Sequence, residues 1–260
     1  MKNPKVRSYI CRKEGYVVSI ASVIDTMSEY LDHYVASDVE TVEQKDFDDV
    51  KKILGFICGM APFMPSDGIY GWTFSLPDAG RKIFASLNLK DRTYVCRTHK
   101  WKPDKHEKTP RVALQMVSEI QQLNRVGLFD IEVNEKKSGT IEKLMERYFE
   151  VEAKVKVYTQ FRNDELIIFK PFSSCSKEGF VDVLKRLKED SKKVEERLET
   201  LEDFRFDFFC GCCGEKISEI FSALKKEDID FLFKNDEKVK AECPRCGKKY
   251  QFKREDICVK

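Results

Sequence analysis

Residues 206–260 read FDFFCGCCGEKISEIFSALKKEDIDFLFKNDEKVKAECPRCGKKYQFKREDICVK. The metal-binding pattern is Cys210-Gly211-Cys212, thirty residues (213–242), then Cys243-Pro244-Arg245-Cys246. Zinc takes four soft ligands at tetrahedral corners, each sulfur about 2.3 Å away. A Cys-x-x-Cys turn supplies two of them from one tight loop. Pro244 presets that turn, and Gly247 lets the backbone reverse after the second ligand. Alternating Lys238 to Glu242 and Lys248 to Phe252 predict a β-hairpin around it. Between the motifs, Ile217, Ile220, Phe221 and Leu224 stripe one short helix, and Ile229, Leu232 and Phe233 mark a second. About fifty residues with so few large apolar groups are marginal alone. A structural zinc site contributes on the order of 10 kcal/mol, enough to decide whether the segment folds.

The expected ligands of one zinc per chain are therefore Cys210, Cys212, Cys243 and Cys246. Cys213 adjoins Cys212, and either could face the metal. Cys258 lies beyond the hairpin and reads as a spectator. His33, His99 and His106 lie far upstream and read as structural or surface residues. Four thiolates on zinc are also a redox device. An oxidant that attacks one gives a sulfenic acid, which a neighbouring sulfur traps as a disulfide. Each pair is close in sequence, so Cys210–Cys212 and Cys243–Cys246 are the easy products. Zinc must then leave, and a domain folded by zinc must loosen.

Outward from this end, residues 176–203 carry sixteen charged side chains out of 28. Phe180, Val183, Leu184, Leu187, Val194, Leu198 and Leu201 keep a helical period, with Asp182–Arg186 and Glu189–Lys193 as i, i+4 pairs. The pattern predicts a thinly striped helix, either a solvated connector or a unit of low local stability. Residues 1–172 read as a mixed α/β body. Tyr9 to Cys11 and Tyr16 to Ile20 predict strands. Ile24, Met27, Leu31 and Tyr34 predict a helix, as do Phe47, Val50, Leu54, Ile57 and Cys58. Ile69 to Ser75 and Arg92 to Thr98 look β-like, and residues 99–110 form a polar loop. Arg111 to Ile120 could be strand or helix, and Val126 to Val133 reads as strand. Ile141, Leu144, Met145, Tyr148 and Phe149 mark a helix with Thr140 as a cap candidate. Strands Val155 to Phe161 and Glu165 to Phe169 follow, with Asn163 and Asp164 in the turn.

The expected fold is α+β: a mixed α/β body (1–175), a charged helical linker (176–207) and a small zinc-binding domain with two short helices and a hairpin (208–260). Hydrophobic residues make up 42% of the chain, which permits a real core. The 47 basic residues nearly balance 45 acidic ones, so no global excess exists to neutralise phosphates. No run of 18 apolar residues predicts a membrane span, and the first residues lack an apolar run of signal-peptide length. The expectation is a cytoplasmic chain. Ten cysteines in a reducing compartment suggest metal or redox chemistry rather than a disulfide framework. The scattered Cys11, Cys58, Cys96 and Cys175 read as buried small hydrophobes.

The cysteine pattern, the tail Lys248-Lys249-Tyr250-Gln251-Phe252 and the KKEDIDFLF segment before the hairpin closely resemble the redox-regulated 33-kDa heat-shock chaperones of bacteria. Upstream, Arg7 to Ile20 with the following helix, the helix ending in Tyr148-Phe149, and the strands through Phe169-Lys170-Pro171 also resemble that family. Glu152-Ala153-Lys154, the short charged linker and Cys213 depart from its pattern. The resemblance implies an ATP-independent holdase rather than an enzyme. It would be inactive when reduced and zinc-bound, and activated by oxidation with zinc release. It would then bind unfolding client proteins and form a homodimer. The alternative is a zinc-ribbon module whose basic cluster (Lys238, Lys240, Arg245, Lys248, Lys249, Lys253, Arg254), with Tyr250 and Phe252, binds RNA or a protein partner. A thiol–disulfide oxidoreductase using Cys243 and Cys246 fits less well, because redox Cys-x-x-Cys motifs open a helix.

Overall fold

A computed structural model describes residues 5–37, 39, 43–118, 123–130, 140–152, 154, 157–162, 164–189, 198–221, 223–234 and 236–257. Ile120, Val133, Val155, Asn163, Lys193, Val194 and Cys258, all named above, lie outside these residues.

Two antiparallel sheets face each other across one apolar core. The first has the order β10 (Glu199–Phe204), β1 (Val6–Cys11), β2 (Tyr16–Ser22), β9 (Glu165–Pro171), β8 (Tyr158–Arg162). The second has the order β11 (Asp207–Phe208), β5 (Thr93–Lys100), β4 (Arg81–Asn88), β3 (Ile69–Leu76), β6 (Arg111–Ser118), β7 (Leu123–Asp130), in which β11 alone runs parallel to its neighbour. Helices α1 (Val23–Ala36), α2 (Phe47–Gly59) and α3 (Thr140–Glu152) contribute to the core between them.

Strand alternation explains the layering. Tyr70, Trp72 and Phe74 of β3 stand beside Ile83, Ala85 and Leu87 of β4 on the inner face, with Tyr94 and Cys96 of β5. The helix α2 is buried almost all round, from Ile53 to Gly59, because core surrounds it. Gly55 makes this possible: a Cβ there would come within 2.8 Å of Val23 Cγ2 and 3.1 Å of Leu166 Cβ. The outer face of the first sheet packs Tyr16, Val18, Ile167 and Phe169 against Phe180, Val183 and Leu184 of α4 (Lys177–Glu189).

Several expectations are corrected. The strand β4, for which the sequence carries no expectation above, lies inside the second sheet, between β3 and β5. The segment from Arg111, which the sequence leaves open between strand and helix, is the strand β6, while the strand expected from Val126 is present, starting earlier, as β7. On α1 the buried face is Val23, Met27, Tyr30 and Tyr34, while Ile24 is exposed. The helix expected over 176–203 is confined, among described residues, to α4. Leu201 lies on the strand β10, not on a helix, and β10 pairs antiparallel with β1 from Val6↔Phe204 to Ile10↔Glu199. The open backbone edge of β1 outweighs the weak helical stripe, because each paired peptide group satisfies a ladder hydrogen bond.

Candidate metal centre

The chain reaches the cysteines along β11. Asp207 and Phe208 pair with Thr93 and Tyr94, and the Phe209 N–H donates to the Tyr94 carbonyl at 3.1 Å. The Phe208 N–H donates to a Glu29 Oε2 at 3.0 Å, the same oxygen that receives Lys5. The Phe208 ring sits against Tyr30, His33 and Tyr94, with centroids 6.0, 4.7 and 5.3 Å away. Cys210 thus leaves a firmly held strap. Gly211, at φ +67, turns the backbone between Cys210 and Cys212, and α5 (Gly214–Phe221) begins two residues later. After α6 (Lys226–Leu232), the hairpin β12 (Lys238–Glu242) and β13 (Lys249–Lys253) presents the second motif. The Cys243 N–H donates to the Lys248 carbonyl and the Gly247 N–H to the Cys243 carbonyl, both at 2.9 Å, with Gly247 at φ +80.

The four sulfurs Cys210, Cys212, Cys243 and Cys246 all lie within 4.8 Å of one another. Cys210 and Cys243 are 3.6 Å apart, and Cys212 and Cys246 are 3.5 Å apart. Sulfurs 2.3 Å from a tetrahedral centre are separated by roughly 3.8 Å, so this group fits a metal ion of zinc's size. Cys213, half-buried, stands outside the group. Cys243 and Cys246 are buried, whereas Cys210 and Cys212 form its half-exposed edge. Backbone N–H groups support the charge: those of Cys246 and Arg245 face the Cys243 sulfur, and that of Lys248 faces Cys246. The Tyr250 hydroxyl donates to the Cys212 sulfur at 3.0 Å.

The protons of so tight a cluster cannot be shared evenly. Hydrogen bonds from Cys210 and Cys246 hold Cys243 far below the ordinary thiol range. Its bond to Cys243, with burial, pushes Cys210 up to about 12. A bound divalent cation reverses that balance and favours thiolates throughout. The donor set of four soft sulfurs selects zinc-like ions over hard cations.

The cluster is docked on the outer face of β4 and β5. Val95 packs with Ile217, Ile229, Phe252 and Ile257, and Phe84 borders them. Arg97 donates through Nη1 to the Cys243 carbonyl and pairs through Nη2 with Glu242. Arg245 donates to Ser86 Oγ at 2.9 Å. A Cβ on Gly247 would lie 2.8 Å from Val39 Cγ1, so the glycine also permits close approach to the body. His33 and His99 reach the backbone of Cys246 and Pro244, and burial lowers the pKa of both imidazoles. These docking residues were missed from sequence. Thr93, Val95, Arg97 and His99 alternate outward on β5, but nothing in the alternation says what covers them. Cys58 and Cys96 are buried as expected, whereas Cys11 and Cys175 are half-exposed.

These features define a class: an α/β body with a four-cysteine metal knuckle laid on one of its sheets. The family model described as Hsp33 protein matches residues 106–253, more than half of the chain. The chain belongs to the Hsp33 family. The 33 kDa chaperonin of Latilactobacillus sakei subsp. sakei (strain 23K) is 32% identical over 60 residues, 23% of this chain and 20% of that protein. The 33 kDa chaperonin of Bacillus cereus (strain G9842) is 29% identical over 63 residues, 24% of this chain and 22% of its own length. The matched part is thus about a fifth of each curated relative. The crystal structure of the 33 kDa chaperonin (heat shock protein 33 homolog) of Thermotoga maritima superposes with a TM-score of 0.72, covering 98% of this chain and 97% of that one at 14% identity. At that identity the two share the fold. No helix among the described residues is long and apolar enough to cross a membrane.

Proposed function

We propose that this chain is a cytoplasmic, ATP-independent holding chaperone. It is inactive while Cys210, Cys212, Cys243 and Cys246 hold one zinc ion, and active once oxidation releases it. The observation that carries this reading is the four-sulfur cluster itself, which closes a small region against the body. That region has few buried apolar groups of its own: Ile217, Ile229, Phe252 and Ile257 among them. Zinc, when bound, supplies the dominant folding term for such a segment.

Oxidation by a peroxide removes two electrons per disulfide formed. The proposed products are Cys210–Cys212 and Cys243–Cys246, the pairs close in sequence. A disulfide sulfur is a poor zinc ligand, so the region then loses its main support. Residues 208–260 act as the switch, 1–175 as the client-holding body and 176–207 as the connection. Undocking uncovers Phe84 and Val95 on the sheet, while Phe209, Ile220 and Phe231 of the released region are already exposed. Apolar surface of this kind binds unfolding chains and supports a homodimer of the oxidised form. The chain holds its client and catalyses no reaction on it.

The proposed loosening stops near Phe208. The Glu29 bond and the aromatic cage hold that strap without help from the metal. The strand β10 is held independently by β1. The test is an aggregation assay with a thermally unfolding client. Protection should appear after peroxide and disappear on adding a thiol reductant. Cys243→Ser should lack that reversible rise. Equal protection by reduced and oxidised protein would overturn the proposal.

A further inference from the structure

Two cysteines outside the metal cluster, Cys11 and Cys175, lie on either side of the β1–β2 turn at one end of the first sheet. The strand β1 ends at Cys11, directly opposite Tyr16, which in turn faces Pro171 on β9. The Gly15 N–H donates to the Cys11 carbonyl at 2.9 Å. The Phe172 N–H donates to the Gly15 carbonyl at 2.7 Å, and the Cys175 N–H to the Phe172 carbonyl at 3.0 Å. Cys175 therefore folds back over the β1–β2 turn. A Cβ on Gly15 would lie 3.1 Å from Cys175 N and 3.4 Å from Cys175 Cα. Cys11 stands across from Tyr16 in the β1–β2 pair and borders the cluster beneath α4. Burial raises the pKa of the Cys175 thiol, and the charges of Glu14 and Cys11 raise it further. Both thiols are half-exposed, unlike Cys58 and Cys96.

We propose that Cys11 and Cys175 are a second redox pair, closed by peroxide to an intramolecular disulfide. The Cys11 thiolate attacks an oxygen of hydrogen peroxide, the O–O bond breaks, and sulfenic acid forms with release of hydroxide, which the proton given up by the Cys11 thiol converts to water. The Cys175 thiol then displaces the second water as the S–S bond forms. Two S–H bonds are lost and two electrons pass to the peroxide. Ser176 follows Cys175 directly and caps α4, its Oγ accepting the Gly179 N–H at 3.0 Å. The bond would staple the start of α4 to the β1–β2 hairpin, so oxidation holds α4 on the body. This inference stands apart from the metal switch, because it uses none of the cluster's sulfurs.

The test uses the full chain, metal-loaded, treated with peroxide or in parallel with diamide, a dithiol oxidant that is itself reduced. Thiols are trapped with an alkylating agent under denaturing conditions, and peptides are mapped without reduction. A peptide linking Cys11 to Cys175 is expected with both oxidants. It should be absent in Cys11→Ser and Cys175→Ser, in which the remaining cysteine stays alkylatable. Amide exchange over 177–189 should slow on oxidation in the parent chain and not in Cys175→Ser. Full alkylation of both residues after either oxidant, or linkage of either one only to another cysteine, would overturn the proposal. Because the diamide arm bypasses peroxide, an inert metal cluster would not mimic that failure.

Discussion

Replacing Arg97 by alanine removes the main polar tie between the body and the knuckle. The Arg97 side chain is only 12% exposed, and its guanidinium reaches both the Cys243 carbonyl and the Glu242 carboxylate. A hydrogen bond made by a charged donor is worth about 1.5–3 kcal/mol. Glu242 is 48% exposed, and a pair with one partner so wet adds about 0–1 kcal/mol. Docking should therefore lose about 2 kcal/mol. At about 1.4 kcal/mol per factor of ten, the knuckle should open roughly thirtyfold more often. Arg97 points away from the core, so the inner face of β5, with Tyr94 and Cys96, should be untouched. Hydrogen exchange of the zinc-loaded Arg97→Ala protein should show faster exchange over 238–253 and unchanged exchange over 53–59. Zinc content should stay at one per chain, and Arg97→Lys should lie between the two, since an ammonium keeps the charge without the fork. Unchanged protection of the hairpin would refute the latch. Uniform loss across the body would show that Arg97 stabilises the fold rather than the docking.

Cys246→Ser should abolish tight zinc binding and Cys213→Ser should leave it intact; elemental analysis of protein purified under reducing conditions decides, and the reverse behaviour of Cys212 and Cys213 would overturn the ligand set. Chelation should free the amides of 210–257 and spare those of Ile141 to Phe149, with a boundary at Phe208. Phe208→Ala should cost about 2–3 kcal/mol, below the fully buried range because the ring is half-buried, and should move that boundary upstream. For pH, His99 has a folded pKa lowered from its ordinary 6.5, first by burial and then by Arg97. An undocked His99 binds its proton more readily, so docking is fully supported above 6.5 and weakens as pH falls below it. Protease sensitivity of the knuckle should therefore rise as pH falls below about 6.5 while zinc is still bound, and His99→Gln should flatten the change.

The four-cysteine cluster was legible because its information is local. Four cysteines, a proline and a glycine at fixed spacing specify the ligand loops before any tertiary contact is known. The helix α3 was legible for a similar reason: its stripe from Ile141 to Phe149 is broad and regular, and those residues are buried. The strand β4 was not legible. Its inward set, Ile83, Ala85 and Leu87, is short and includes a small residue, and its position in the sheet depends on β3 and β5. The strand β10 misled for the opposite reason. Leu198 and Leu201 continue a helical period, but five of its six residues are exposed, and pairing with β1 decides its conformation. The docking contacts had no sequence signal at all, because Arg97 and His99 look like any outward polar residues of a strand.

The most direct measurement follows one peroxide time course with two readouts in the same sample. Released zinc is read with a chromophoric chelator, and aggregation of a thermally unfolding client is read by light scattering. The account predicts that client protection rises as zinc leaves, and that a thiol reductant with added zinc returns both to their starting values. Stoichiometric zinc release with no gain in client protection would contradict it.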